Sequence, residues 1–224
     1  MLLHSSVTAR RTLALCLGAA ALIATASTRA QPACLAATPD VAVQLDLPSP
    51  TIDNSLPQPA LQVLAGKRYH GGRTLGLYQV QLEASFNIQL AQHDAEAESC
   101  IAVDRVRLRI EMPRRTIYVV RARQPGTCAY DSVLAHERKH EATDNAVLRS
   151  EIPSLKRDIG AALRALPSAR RVPLGDAASA RESLMRAARA AIEREAKHLF
   201  DLRAARQAAI DTPQEYRRVR AACG

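Results

Sequence analysis

The chain has no tryptophan, two phenylalanines and five tyrosines, so aromatics make up 3% of its 224 residues. Single-stranded nucleic acid is held largely by stacking on such rings, and the basic residues here are scattered beside acids along helical faces. Both facts argue against a nucleic-acid partner. Acidic residues are missing from the first thirty positions, where Arg10 and Arg11 precede an uncharged, Leu- and Ala-rich run from Thr12 to Ala26. Small residues follow in "ATAS" and "STRAQ", the pattern of a secretory signal peptide with cleavage after Ala26 or Ala30. The apolar run of about fifteen residues is shorter than the roughly twenty needed to cross a bilayer, so no membrane span is expected. Residues 1–30 are read as the signal and 31–224 as a single mature domain, periplasmic or secreted. The mature part keeps 28 basic against 22 acidic residues, a balance of +6.

Cysteine is sparse and dispersed. Cys16 leaves with the signal, and Cys34, Cys100, Cys128 and Cys223 remain, no two close enough to form a zinc-binding pair. In an oxidising compartment an even number of cysteines reads as disulfides. Val106, Leu108, Ile110 and Met112 alternate with Arg105, Arg107, Arg109 and Glu111, and "TIYVV" resumes after "PRR". An antiparallel hairpin turning near Pro113 and Arg114 would set Cys100 opposite Cys128 and leave Cys34 to pair with Cys223.

The mature chain divides into a strand-rich part, 40–125, and a helical part, 131–220. "DVAVQLDLP" alternates as a short strand. After the "GGR" turn signal at 71–73, Tyr78, Val80, Leu82, Ala84, Phe86, Ile88 and Leu90 alternate with polar residues. The segment around Leu61 to Ala65 has no decisive period. Polar "AQHDAEAES" then leads to the expected hairpin. Alternation of this kind predicts an α+β fold with an antiparallel sheet, one face wet and one packed. Beyond Tyr130 the period becomes 3.6, predicting helices over 131–150, 153–166 and 176–210, with Pro153, Pro167, Pro173 and Pro213 as punctuation.

The first of these helices spells "SVLAHERKHEATD". Positions four apart share a helical face one turn apart, so His136 and His140 can converge on one metal ion. Glu137 lies about 100° further round, within reach of a metal-bound water without being a ligand. Zinc activates water and polarises a carbonyl, and a nearby carboxylate moves the proton. The implied cofactor is Zn2+ and the implied partner a peptide or protein substrate. The rival reading is an exported binding or structural module whose helix merely holds metal, or holds none.

A catalytic zinc site normally has a third protein ligand. Asp144 is a poor one, because side chains on three successive turns of a straight helix span about 12 Å; it reads as a carboxylate orienting His140 or as a surface charge. On the last long helix Leu184, Ala188, Ala191, Leu199, Leu202 and Ala209 form a stripe with Glu195 in its middle, and a carboxylate buried there calls for a cation. Glu195 is therefore the expected third ligand, with His198 on the border of the same stripe as the alternative; an ion pair from Glu195 to Arg206 or Arg164 is the plainer reading. Tyr130, His198 and Tyr216 can each serve chemically as an oxyanion donor.

With "SC" before an alternating strand, "MP" ahead of a second, and then "CAYDSVLAHERKHEATDNAVL", the chain resembles a bacterial domain family described as predicted secreted zinc-dependent proteases, domain of unknown function 922. The resemblance runs over roughly Lys67 to Cys223, and HERKH is its sharp motif. It implies a zincin-like metallopeptidase with His136 and His140 as ligands and Glu137 as catalytic acid and base. It supplies no third ligand. "DTPQEY" matches the family only loosely, and the tryptophan expected near the strands is missing. In a zincin-like fold the strand Thr116 to Arg121 would be the sheet edge beside the zinc helix, open to an added peptide strand.

Overall fold

The two longest alternating segments of the sequence become the two longest strands. The computed structural model describes residues 38–66, 73–167 and 171–223, all within one compact unit, Cys34–Gly224. The signal-peptide reading, Cys34 and the first two residues of "GGR" lie outside the described residues. Strand β1 covers Asp40–Asp46 and β2 Thr51–Asp53; α1 (Gln58–Ala65) follows, so the segment of undecided period is helical, pinned by the fully buried Leu61. Strand β3 (Gly76–Ala95) pairs antiparallel with β4 (Glu98–Val119) along their whole length. They turn at Glu96, which has a positive φ of 40° as tight hairpin turns require.

The hairpin expected within 106–121 does not form, because both of its arms belong to β4. "AQHDAEAES", read as a connection, is the tip of the β3–β4 hairpin. Pro113 signalled a turn but lies inside a strand, at a position where its missing N–H does no harm. On one side the β3 register shifts between Gln81 and Glu83; on the other, pairing to β1 stops at Glu111 and pairing to β2 starts at Thr116. Proline is tolerated at such interruptions of the ladder.

The sheet is also mixed rather than antiparallel. Both β1 and β2 run parallel to β4, and β5 (Arg171–Pro173) pairs antiparallel with its first residues. This correction moves the edge. The segment from Thr116 lies inside the sheet, between β2 and β3, whereas β3 has no strand partner on its outer side among the described residues.

One face of β4 carries Val106, Leu108, Ile110 and Met112, all buried, and the opposite face carries its exposed arginines. The apolar face is covered by α2 (Cys128–Arg164) and α3 (Ala177–Ala208). Helix α2 unites two segments that Pro153 was expected to separate. Leu148 before the proline and Leu155, Ile159 and Leu163 after it pack into the same core. Burying each is worth about 1.5–3 kcal/mol, which together outweighs the roughly 3 kcal/mol cost of a proline inside a helix. No helix among the described residues is long and apolar enough to cross a membrane.

A last helix, α4 (Pro213–Ala221), follows a sharp corner. Thr212 caps it, its hydroxyl accepting from the Glu215 N–H at 3.1 Å. A disulfide between Cys128 and Cys223 ties the end of α4 to the start of α2. Neither expected pairing survives: Cys128 takes Cys223, not Cys100, so Cys34 does not hold Cys223. Cys100 is itself disulfide-bonded. The register that paired Cys100 with Cys128 depended on the hairpin at Pro113, and in the continuous strand Cys100 faces His93 on β3 and Arg171 on β5.

Candidate metal centre

Two side chains four residues apart on α2 point to the same place because the helix brings them there. His136 and His140 are 6% and 8% exposed, with ring centroids 5.0 Å apart and nearly perpendicular. Their Nε2 atoms both face Asp211 Oδ1, each at 3.3 Å. Asp211 stands at the corner between α3 and α4. His136, His140 and Asp211 each offer one ligand atom, and these atoms lie within 4.8 Å of one another.

The outer nitrogens decide what the inner ones can do. Gln207 donates its amide N–H groups to the His140 carbonyl (2.9 Å) and to Asp144 Oδ1, so its Oε1 must accept from His140 Nδ1, 2.6 Å away. Glu215 Oε1 lies 3.3 Å from His136 Nδ1. It also takes Lys139 and Arg218, and as a carboxylate it can only accept. Each imidazole therefore carries a proton on Nδ1 and presents Nε2 to the shared point. This is the arrangement by which outer carboxylates and carbonyls orient metal-ligating histidines. Two imidazole nitrogens and a carboxylate oxygen aimed at one point demand a cation between them, a metal ion or protons on the rings. The donor set suits zinc, which binds histidine nitrogen and carboxylate oxygen in tetrahedral sites.

The electrostatics agree. Burial raises the Asp211 carboxyl, but hydrogen bonds from His136 and His140 outweigh it and hold the group well below the usual carboxylate range. Burial disfavours the charged form of both histidines, yet Asp211 and the other acceptors raise their pKa values above the ordinary one. Glu137 differs from its neighbours: burial pushes it up to about 7 against the pull of both histidines. It is 5% exposed, takes a backbone hydrogen bond from Tyr78 and sits directly against Gly76.

Gly76 explains how the carboxylate fits. A Cβ there would overlap Glu137 Oε1 and lie 2.6 Å from Val133 Cγ1. Gly76→Ala is expected to destabilise the protein by about 1–3 kcal/mol, as overpacking does. It should also displace the Glu137 carboxylate. Urea titration measures the loss of stability, and an alanine variant with unchanged stability would refute the contact.

Asp144 is fully buried and receives a two-pronged hydrogen bond from Arg203, 2.8 Å to each oxygen. It is not a ligand; it positions Gln207, and through Gln207 the ring of His140. Asp144→Ala leaves the part-buried Arg203 and Gln207 without their acceptor and is expected to cost about 1–3 kcal/mol in urea denaturation. Gln207→Leu spares that ion pair and should instead loosen the His140 ring and weaken any metal binding at this site about 10- to 100-fold.

The structure does not bring Glu195 to the imidazoles. It flanks the buried stripe rather than centring it, because Ile192 and Ala196 take the inward positions, and it lies 3.8 Å from Arg194. Gln207, which does reach His140, is twelve residues further along α3, about 18 Å away. His198 is exposed on the outer side of α3. Tyr130 packs with Val119 and Val133. Of the three expected oxyanion donors only Tyr216 lines the cleft; its ring centroid is 5.8 Å from that of His136, and its hydroxyl bonds to Asp211. Asp211 escaped the sequence reading, although a signal was present. "DTPQE" places Thr212, Pro213 and Glu215 as N-cap, first turn and capping-box acid of a new helix, which marks Asp211 as the residue at a corner.

The site opens into a cleft of about 1350 Å³, walled by α1, the outer edge of β3 and the ends of α2, α3 and α4. All residues from Arg73 to Val80 line it, side chains of both faces alike, as happens when the strand presents its edge. The Val120 N–H donates to the Leu75 carbonyl at 2.8 Å, so the odd-numbered residues here bond to β4. The even-numbered Gly76, Tyr78 and Val80 turn their main-chain groups away from β4 toward the cleft, while the Thr74 N–H is taken by Gln62 Oε1 at 3.1 Å.

No family model, curated protein or solved structure matches this chain.

Proposed function

We propose that the protein is an exported zinc-dependent peptidase, with His136, His140 and Asp211 holding the ion and Glu137 moving the proton. One observation carries this reading: three ligand atoms converge at the floor of a cleft, with a buried carboxylate beside them and a free strand edge as one wall. A metal-holding module without turnover would need the ligands, but it has no use for a buried carboxylate, Glu137, set beside them in the wall of a peptide-sized groove.

An extended peptide would add to β3 by main-chain hydrogen bonds at Gly76 and Val80. Zinc bound by the three ligands would supply an acidified water and a polarised substrate carbonyl. Glu137 takes the water proton onto its carboxylate and delivers it to the departing amine, the work of a positioned general base and acid. Its desolvation by Gly76 and Val133 keeps that proton from bulk water. Asp211 is half-exposed, so the ligand set stays open on the cleft side where the substrate lies. Tyr216 gives its one O–H to Asp211 and so orients that carboxylate. The resemblance to the secreted zinc-dependent protease family accords with this reading and rests on HERKH.

The test is metal analysis with a peptide-hydrolysis assay on the purified mature chain. One zinc per chain, activity abolished by chelation and restored by zinc, is the expected result. A chain that takes up no zinc when it is offered excludes the reading.

A further inference from the structure

Three arginines line one end of the cleft. Arg73 precedes the first residue of β3 by three positions; beyond β4 the Val120 N–H donates to the Leu75 carbonyl and the chain turns there, the Arg123 N–H donating to the Val120 carbonyl at 2.9 Å, so Arg123 also lies near the start of β3. Arg220 joins them on α4, which is held at the start of α2 by the Cys128–Cys223 disulfide and by the Ser132 hydroxyl donating to the Val219 carbonyl. Val219 itself packs with Leu75 and Val133, placing Arg220 over the same end. All three are exposed, and none has a carboxylate partner among the described residues. Arg220 makes only a 3.3 Å bond to the Tyr216 carbonyl. Arg107, Arg109, Arg186 and Arg189, by comparison, are each paired with a carboxylate. The fourth arginine of the cleft, Arg203, is spent on Asp144.

We propose that this cleft selects extended peptides with acidic side chains over its arginine-lined end, and that Arg73, Arg123 and Arg220 make the selection. The inference rests on the peptidase reading of the site. Glu137 meets β3 at Gly76 and Tyr78, which sets the position of the reacting bond. Arg73 lies three residues before Gly76, about 10 Å at strand rise. A strand added antiparallel to β3, the better-bonded orientation, runs toward Arg73 as it leaves the ion. The acidic side chains therefore fall two or three residues to the C-terminal side of the reacting bond. Clustered, unpaired charge in a cleft with low-dielectric walls concentrates an oppositely charged ligand.

The chain contains no tryptophan, so a single tryptophan in a peptide reports its binding without background. Three eight-residue peptides are offered to zinc-loaded Glu137→Ala protein, with two glutamates C-terminal of the centre, two N-terminal, or glutamines in their place. The C-terminal glutamate peptide should bind at least about tenfold tighter than the glutamine peptide at low salt, with the gap closing as salt rises. Replacing Arg73, Arg123 and Arg220 by serine should erase the gap, and replacing all three by lysine should keep most of it. Removing the same charge at Arg149, Arg181 and Arg186 should leave it intact. Equal affinities for the three peptides, or a preference that survives the serine variant, would overturn the proposal. Cleavage by the unmutated protein separates the two readings. Equal cleavage of all three peptides sinks the acidic preference alone, and tight acidic binding with no cleavage sinks the peptidase alone.

Discussion

Glu137→Gln is expected to keep the zinc and lose the chemistry. Glutamine has the same shape, can still accept the backbone bond from Tyr78, and leaves His136, His140 and Asp211 in place. It cannot take a proton from water, however, and removing a general acid–base costs about 10²–10⁴ in rate. The same substitution should stabilise the metal-free protein at alkaline pH. The folded-state pKa of Glu137 is raised from its ordinary 4.5 to about 7, so folding favours the protonated form. Its contribution is fully present below about pH 4.5 and is lost as pH rises through about 7, a swing on the order of 3 kcal/mol. Glutamine, which does not titrate, removes that loss. Urea denaturation of chelated protein at pH 5 and pH 8 measures it: the parent should weaken between the two and the variant should weaken less. Full hydrolytic activity in the variant would remove Glu137 from the chemistry, whatever the stability did.

The second large effect separates two carboxylates. Asp211→Ala takes away one of three ligands and leaves two imidazole nitrogens facing solvent, so zinc affinity should fall by more than the roughly 10- to 100-fold typical of losing an outer partner. Activity should go with it at ordinary zinc concentrations. Glu195→Ala should change neither, since that side chain only flanks the α3 stripe beside Arg194. Competition with a chromophoric chelator gives both affinities. If Glu195→Ala were the variant that lost zinc, with Asp211→Ala unaffected, the ligand set described here would be wrong. Asp211→Asn adds a graded case, because the amide oxygen can still bind an ion but carries no charge. It should fall between the parent and alanine.

The two carboxylates also show how far local pattern reaches. Glu195 was attractive because its position relative to Leu184, Ala188 and Leu199 follows from helical periodicity, and that periodicity is real: those three are buried. What periodicity does not give is which of several inward positions is central, or what lies across from it. Ile192 and Ala196 take the centre, and the part of α3 that meets His140 is about three turns later, at Gln207. Pro113 and Pro153 failed for a related reason. Proline reports a backbone that cannot donate one hydrogen bond; whether that ends an element depends on whether the bond was needed and on what the chain beyond it buries.

Residues close in sequence speak for themselves. The four-residue spacing of His136 and His140 on a helix, the position of Glu137 beside them, and the alternation that makes strands of β1, β3 and β4 all follow from bond geometry within a few residues. Those features are determined by the sequence alone. Contacts between distant segments were decided by the tertiary structure: Asp211 meets His140 across 71 positions, Cys128 meets Cys223 across 95, and β1 and β2 join β4 in parallel. The first two depend on α3 doubling back along α2 and turning a capped corner into α4, the third on the sheet the helices pack against. That path is set by the burial of many apolar side chains at once, and no short stretch of sequence records it.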